Sequence, residues 1–239
     1  LIGALKNTCI LFAICMGVQN TLGLMFANIL AGRLKGRSLF RTIIFLPATM
    51  SVLVTGFLWK LILNPHWGAV NQILVKFGLK QFEAYPWLGK PETAMIMVGL
   101  VTAWQWVGIP TMIFLAGFQG ISEDILEAAS IDGASGTQAF WRVKLPLLTP
   151  VIGLVSVMTF VGNFNAFDIV FAMTNARGAP EYSTDIMGTL FYRVGIAGQH
   201  PVAQPNMGVG ASIATVIFFI LFLGVSLWLY SRERGSRTQ

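Results

Sequence analysis

Five long apolar stretches alternate with polar segments along the 239-residue chain. Each is close to the roughly 20 residues that a helix needs to cross the hydrocarbon core of a bilayer. They run over Thr8–Leu30, Thr42–Leu63, Ala94–Phe118, Leu147–Met173 and Met207–Tyr230. The pattern predicts an all-α, polytopic membrane helix bundle, with a single transmembrane domain over residues 1–239 and five spans.

The segments between the spans indicate the orientation. The loop after the first span has four basic residues and no acid, and the C-terminal tail has three more: Arg33, Lys35, Arg37 and Arg41, then Arg232, Arg234 and Arg237. Because basic residues are retained on the cytoplasmic side of a membrane, both segments are predicted to lie inside, with a cytoplasmic C-terminus. Residue 1 then lies outside, which predicts a further span before it and six spans in the complete protein.

Alternation of the spans then places residues 64–93 and 174–206 outside and residues 119–146 inside. Both outer segments contain apolar residues without the length of a span. In Trp67–Leu79 the apolar positions recur at helical spacing, which predicts an interfacial helix on the outer face. The segment Thr184–Ile196 is similarly semi-apolar. It is predicted to be either a second outer helix or a helix that dips partly into the membrane.

The low fraction of charged residues excludes several classes of protein. Only 11% of the residues are charged and 55% are hydrophobic, whereas an average soluble domain has about 25% charged residues. This excludes a disordered chain and a nucleic-acid-binding domain. The chain has no G-x-x-x-x-G-K-[ST] sequence for ATP, and its two Cys, Cys9 and Cys15, have the wrong spacing for a metal site. No catalytic residue, metal site or cofactor is therefore predicted in this chain.

The inner loop over residues 119–146 is more elaborate than a connector needs to be. Ser122 is a good helix N-cap, and Glu123 and Asp124 follow in the first turn, where the helix dipole favours acids. Gly133 stands where that helix would end, and a second short helix is predicted at about Thr137–Lys144. Small, apolar and acidic residues together suit a docking surface. An ordinary capped helix on the membrane surface has a similar composition.

The order of residues in this loop resembles the EAA motif of binding-protein-dependent ABC importer permeases. The string Glu127-Ala128-Ala129-Ser130-Ile131-Asp132-Gly133-Ala134 is followed by Phe140, Val143, Leu145-Pro146 and Pro150 at the spacing of that family, with Val143 in place of Ile. The resemblance implies a type I importer permease fold whose coupling helices dock on a dimer of separate ATP-binding subunits, where ATP and magnesium bind. The coupling residues that it implies are Glu127, Ala128, Ala129, Asp132, Gly133, Ala134, Phe140, Leu145 and Pro146.

The fourth span contains polar residues that are costly in hydrocarbon. Asn163, Asn165 and Asp168 would normally face the bundle interior or a water-filled cavity. With Phe164 and Phe167 they would form a polar pocket with aromatic walls, which suits a sugar ring and its hydroxyls. The alternative places the two amides in interhelical hydrogen bonds and Asp168 at the outer rim.

The same region is similar to the carbohydrate branch of these permeases, which includes the maltose, multiple-sugar and glycerol-3-phosphate systems. The similarity is carried by the run Phe164–Thr174, then Pro180, Ser183-Thr184 and Tyr192; Ala179 replaces the second Gly of the family's Gly-Gly-Pro. It implies a sugar or sugar-like solute translocated by alternating access. It also implies a soluble extracytoplasmic solute-binding protein, a second and different permease chain, and a bacterial or archaeal cytoplasmic (inner) membrane.

Two other classes of membrane protein remain as alternatives. An ion-coupled secondary transporter or channel for small polar solutes would explain the spans and Asp168, but not the elaborate inner loop, and it would usually show coupling carboxylates or inverted repeats. An integral-membrane enzyme would need clustered His, Asp or Glu near the membrane face. The two His residues, His66 and His200, lie in separate outer loops.

Overall fold

The computed structural model describes residues 1–32 and 34–236, with side chains up to residue 230. Two of the basic residues used for orientation, Arg33 and Arg237, lie outside the described residues. The helices are α1 (Ile2–Ile14), α2 (Thr21–Ala31), α3 (Arg37–Phe45), α4 (Val52–Ile62), α5 (Ala69–Lys76), α6 (Pro91–Trp106), α7 (Gly108–Gln119), α8 (Glu123–Ile131), α9 (Gly136–Ala139), α10 (Leu145–Leu147), α11 (Thr149–Phe164), α12 (Asp168–Thr174), α13 (Met187–Phe191) and α14 (Met207–Ser236). The all-α prediction is confirmed over this part of the chain.

Short non-α turns join several of these helices. Within the described ranges, three π-helical turns cover Cys15–Asn20, Phe140–Lys144 and Tyr192–Ile196, and two 3₁₀ turns cover Leu46–Thr49 and Lys80–Phe82. Single π-turns inside α-helices are rare and often occur at functional sites. One of the three lies in the inner loop, which the sequence marks as a candidate docking surface, and another begins at Tyr192, which belongs to the similarity with the carbohydrate branch.

Two helices in the described part of the chain are long and apolar enough to cross a membrane unaided, Ile2–Ala31 and Met207–Tyr230. Three further helix pairs pass the same test as bent pairs, so the number of spans reaches five if each pair counts as one. The pairs are Arg37–Thr49 with Val52–Ile62, Pro91–Trp106 with Gly108–Gln119, and Gly136–Leu147 with Thr149–Phe164. Each of the five predicted apolar stretches overlaps one of these spans.

The hydrophobic pattern predicts one continuous helix for the fourth apolar stretch, but the structure shows a break in it. Helix α11 ends at Phe164 and α12 begins at Asp168. The side-chain amides of Asn163 and Asn165 donate hydrogen bonds to the carbonyls of Thr159 (2.8 Å) and Val161 (3.1 Å). Asn is a weak helix former because its side chain competes for backbone partners, so the polar cluster coincides with the interruption.

One compact unit comprises residues 1–15, 50–102 and the chain from Thr159 onwards. Its largest apolar cluster includes Leu11, Val98, Met173 and Ile186, and a second cluster joins α13 to α14. Helices α4 and α12 pack closely at Gly56, where a Cβ atom would lie 2.6 Å from the Ala172 Cβ. Such close packing through small residues is typical of membrane helices.

The other compact unit comprises residues 16–49 and 103–158, and it contains the inner loop. Here α2 packs against α7, and a Cβ atom at Gly23 would lie 2.9 Å from the Pro110 Cβ. The buried side chains of Phe114, Phe118 and Leu148 belong to its apolar cluster. Half-buried Phe140 packs against the same cluster, which fixes one end of the inner loop.

The outer segment after α4 contains the short helix α5 inside the predicted range Trp67–Leu79. The buried Asn71 amide donates to the carbonyls of Pro65 and Tyr85, both at 3.0 Å, and its oxygen accepts from the Trp87 indole N–H. One polar side chain therefore holds together three parts of this segment. Asn71 satisfies backbone groups that would otherwise need water.

Candidate functional site

A cavity of about 530 Å³ lies beside the break between α11 and α12. Its volume is in the range of small-molecule sites in proteins. The lining side chains come from the end of α11, the break, the 187–196 segment and α14: Phe164, Asn165, Phe167, Gly188, Phe191, Tyr192, Ile196, Ala214, Ile217, Phe218 and Leu221. The wall is thus mainly aromatic and aliphatic, with an amide and a phenol as its polar side chains.

An aromatic group forms one side of this cavity. The Phe167 ring stacks on Phe171, with centroids 5.2 Å apart and planes 27° apart, and lies 5.1 Å from the Tyr192 ring. Both contacts are within the distances at which aromatic pairs attract each other. The rings are therefore held in place by one another, and Phe167 and Tyr192 present fixed surfaces to the cavity.

Three of the five predicted substrate-pathway residues line this cavity, namely Phe164, Asn165 and Phe167. Asn163 does not; it is buried on another face of α11, at 6% exposure. Asp168 is exposed at the first position of α12, next to the N-terminal end of the helix dipole. The structure thus groups the two Phe residues with one amide and separates them from the carboxylate.

The remaining lining residues were not predicted from the sequence as part of a pocket. Gly188, Phe191 and Ile196 lie in the semi-apolar outer segment, and Ile217 and Leu221 lie in the last span. The spacing of Gly188, Phe191, Tyr192 and Ile196 is that of one helix face, which is the signal that could have identified this wall. The α14 residues have no such signal, because apolar side chains in a span also suit lipid.

The inner loop forms two short helices with a turn between them. Helix α8 begins after Ser122 and ends at Ile131, and Gly133 follows with φ +78°. This left-handed conformation is one that glycine adopts without strain. The Ala134 N–H donates to the Ala129 carbonyl at 3.0 Å, and the Gly133 N–H donates to that of Ser130 at 3.1 Å, so the end of α8 is satisfied by local bonds.

A capping box starts the second helix of the loop. The Ser135 hydroxyl accepts from the Gln138 N–H at 3.3 Å, and the Gln138 side chain accepts from the Ser135 N–H at 2.8 Å. The helix then continues through the π-turn over Phe140–Lys144 to α10. This reciprocal pair sets the start of the second helix independently of α8.

The predicted coupling residues fall into two groups by exposure. The exposed ones are Glu127, Ala128, Asp132, Gly133 and Pro146, and the half-buried ones are Ala129, Ala134, Phe140 and Leu145. Three large apolar side chains of the same loop are also exposed, Ile131 at 86%, Trp141 at 62% and Ile125 at 43%. The exposed side of α8 therefore combines an acid (Glu127), a small residue (Ala128) and an exposed apolar side chain (Ile131). This composition suits a docking surface.

An ion pair lies in the outer segment before α14. The Arg193 guanidinium donates to the Asp185 carboxylate at 2.5 Å, and both side chains are almost completely buried. Burial raises the pKa of the Asp185 carboxyl, and the positive charge of Arg193 opposes that rise. In the described part of the chain no group of His, Cys, Asp and Glu could hold a metal ion.

Comparison with known proteins identifies the family. The family model of the binding-protein-dependent transport system inner membrane component matches residues 19–232. The chain is 34% identical over 222 residues to the arabinooligosaccharides transport system permease protein of Halalkalibacterium halodurans, covering 92% of this chain and 67% of that one. It is 36% identical over 200 residues to the multiple sugar-binding transport system permease protein of Streptococcus mutans, covering 84% and 65%.

A third relative and a solved structure agree with these matches. The trehalose/maltose transport system permease protein of Thermococcus litoralis is 30% identical over 215 residues, covering 90% of this chain and 68% of that one. The crystal structure of a bacterial ABC transporter involved in alginate import matches with a TM-score of 0.78 at 24% identity, covering 99% and 79%. The chain thus spans 65–79% of the length of these four proteins, and its fold is that of an importer permease. It belongs to the inner membrane components of binding-protein-dependent transport systems and is a permease subunit of an ABC importer, not an enzyme.

Proposed function

We propose that this permease subunit carries a sugar or sugar-like solute, and that the cavity beside the α11–α12 break forms part of its path. The observation that carries this proposal is the wall made by Phe164, Phe167 and Tyr192 with the Asn165 amide. Flat aromatic faces suit the apolar faces of sugar rings, while an amide and a phenol can donate and accept hydrogen bonds with hydroxyls. The printed names of the relatives, which mention arabinooligosaccharides, multiple sugars and trehalose/maltose, support the same substrate class.

The proposed mechanism is alternating access driven from outside this chain. ATP and magnesium would bind a separate pair of ATP-binding subunits, and closure of that pair would move the docked α8. The exposed side of α8 supports this role, because Glu127, Ala128 and Ile131 present charge, close approach and apolar area together. The proposed coupling set is the one that the motif implies, from Glu127 to Pro146.

The proposed role as an importer permease implies two further partners. A soluble extracytoplasmic binding protein would deliver the solute to the outer face, and a second, different permease chain would complete the pathway. The family description supports an inner membrane location. We propose a bacterial or archaeal cytoplasmic membrane, with the C-terminus of α14 in the cytoplasm.

The energy source is tested with the purified complex in proteoliposomes. Uptake is expected only when ATP is inside and both the binding protein and its sugar are outside. Uptake that follows a proton or sodium gradient without ATP would assign the chain to the secondary transporters instead.

The role of the cavity is tested by changing Tyr192 to Leu. Leucine retains the apolar bulk of the segment but removes the flat ring and the hydroxyl, so we expect sugar uptake to fall by up to about tenfold, the equivalent of one aromatic contact. The control is Phe77→Leu, because Phe77 is 81% exposed in the outer loop and does not line the cavity. Equal uptake by the two variants, measured with labelled sugar, would contradict the proposed path.

A further inference from the structure

The segment over residues 187–196 has two faces with opposite surroundings. Gly188, Phe191, Tyr192 and Ile196 line the cavity. Met187, Thr189, Leu190, Arg193 and Val194 point away from it and are buried. A rotation of the segment about its own axis would exchange these faces, so the shape of the cavity depends on what fixes the rotation.

Arg193, on the buried face, makes hydrogen bonds to two groups outside the segment. One terminal nitrogen donates to the Asp185 carboxylate and the other to the His200 carbonyl, both at 2.5 Å. The guanidinium also lies over the Tyr182 ring, 4.8 Å from its centroid. A guanidinium is planar and its N–H donors are fixed relative to one another. Two hydrogen bonds in its plane and one ring against its face therefore define the orientation of the group.

Asp185 connects the same segment at a second point. Its other carboxylate oxygen accepts a hydrogen bond from the Thr189 hydroxyl at 2.9 Å. Thr189 and Arg193 are four residues apart, so one carboxylate holds two successive turns of the segment by the same face. The Asp185 side chain is therefore a connection between turns as well as a counter-charge.

Asp185 itself is held from the side of α1. The Asn7 amide donates to the carbonyls of Asp185 and Tyr182, both at 2.9 Å, and the Met187 N–H donates to the Thr8 hydroxyl at 3.0 Å. These bonds link the outer segment to residues nearly 180 positions earlier in the chain. The backbone at Asp185 and Met187 is thus bonded to α1, which gives the rotation of the 187–196 segment a fixed reference.

We propose that Asp185 and Arg193 are positioning residues, which fix the rotation of the 187–196 segment and so shape the sugar-facing wall of the cavity. The inference rests on the proposed function of that cavity. A buried ion pair adds little net stability compared with an apolar pair of similar size, whereas it can select one geometry from several.

The test measures which face of the segment is accessible. Single cysteines replace Ile196 on the cavity face or Val194 on the buried face, in a full-length chain without Cys9 and Cys15. The complex is labelled with a membrane-impermeant maleimide, and no sugar is present. In the otherwise unchanged protein, position 196 is expected to react and position 194 to be protected, because their exposures are 51% and 3%.

Changing Arg193 to Met is expected to open the buried face. The labelling rate at position 194 should rise by at least about tenfold, the effect of removing one charge-assisted hydrogen bond that opposes local opening. Arg193→Lys keeps the charge, but one ammonium group cannot reproduce the fork, so a smaller rise is expected. The matched control is Arg177→Met, an exposed arginine of the same outer loop.

A double variant distinguishes the loss of positioning from the cost of leaving one buried charge without its partner. Asp185→Asn with Arg193→Met leaves no buried charge, so its thermal midpoint should recover relative to Arg193→Met alone. If the pair positions the segment, position 194 stays reactive in this double variant. Protection of position 194 in the double variant, or in Arg193→Met, would overturn the proposal.

The outcome is distinguishable from a failure of the proposed function. Labelling reports the rotation of the segment and needs no substrate, whereas the Tyr192→Leu assay reports sugar uptake. Unchanged uptake by Tyr192→Leu together with rearranged labelling in Arg193→Met would reject the sugar path and retain the positioning role.

Discussion

Replacing Ala128 with tryptophan is expected to abolish uptake while leaving the fold of the permease intact. Ala128 is exposed on the same side of α8 as Asp124, Glu127 and Ile131, and Ile131 is 86% exposed. A large side chain there meets solvent in the isolated subunit but prevents a partner from approaching the helix backbone. The loss of one central interface contact corresponds to at least about a thirtyfold weaker association.

The measurement pairs retention of the ATP-binding subunits on the purified permease with sugar uptake in proteoliposomes. The control variant is Ser130→Trp, since Ser130 is also exposed but lies on the opposite side of α8 from Ala128. The Ser130 variant should retain both the subunits and most of the uptake. Normal uptake by Ala128→Trp would show that this side of α8 is not the docking surface.

Replacing Gly188 with alanine is expected to displace a wall of the cavity. Gly188 lies in α13 and lines the cavity, and a Cβ atom there would lie 2.3 Å from the Ala166 carbonyl oxygen. The obstacle is backbone, so the 187–196 segment must move away from the α11–α12 break. Overpacking of this kind costs roughly 1–3 kcal/mol, which predicts a fall in the thermal midpoint of about 2–10 °C, with loss of sugar uptake.

The thermal midpoint and the uptake are compared with those of Gly208→Ala. Gly208 is also in the first turn of a helix, α14, but the nearest atom to its Cβ would be the Asn206 Oδ1 at an ordinary 3.5 Å. That control should melt no lower than the unchanged protein. A Gly188 variant with the same midpoint and uptake as the control would mean that the segment moves without consequence for the path.

The inner loop was predictable because its structure is local. Acids in the first turn, Gly133 after the last turn and Pro146 before the next span are signals that act within a few residues. The details still differ: the Ser122 side chain makes no cap hydrogen bond, whereas the capping box forms at Ser135 and Gln138. Residue order carries a signal for this difference, because Ser135 is followed three residues later by Gln138, the pattern of a capping box, whereas Ser122 is followed there by Ile125.

The cavity was only partly predictable because it combines residues that are distant in sequence. The aromatic and amide residues near the α11–α12 break were visible as a polar interruption, but the break itself separates Asp168 from Asn165. The pairing of Asp185 with Arg193 joins positions eight residues apart, across the irregular start of α13. Positions eight residues apart lie about 12 Å apart along a regular helix, too far for a direct ion pair, so helical spacing does not predict this contact. The α14 residues of the cavity wall are apolar like the lipid-facing residues of any span, so the sequence gives no signal for them.

The scarcity of charge pairing has a consequence for the behaviour of the subunit in salt. Among the side chains that the structure describes, which end at residue 230, the Asp185–Arg193 pair is the one ion pair, and it is buried. Dissolved ions screen exposed charges over about 8–10 Å and buried pairs much less. Raising the ionic strength should therefore leave the permease folded, because its ion pair is buried. The same salt should weaken the contacts that the exposed acids of α8 make with a partner, so the partner can be released by salt without unfolding the subunit.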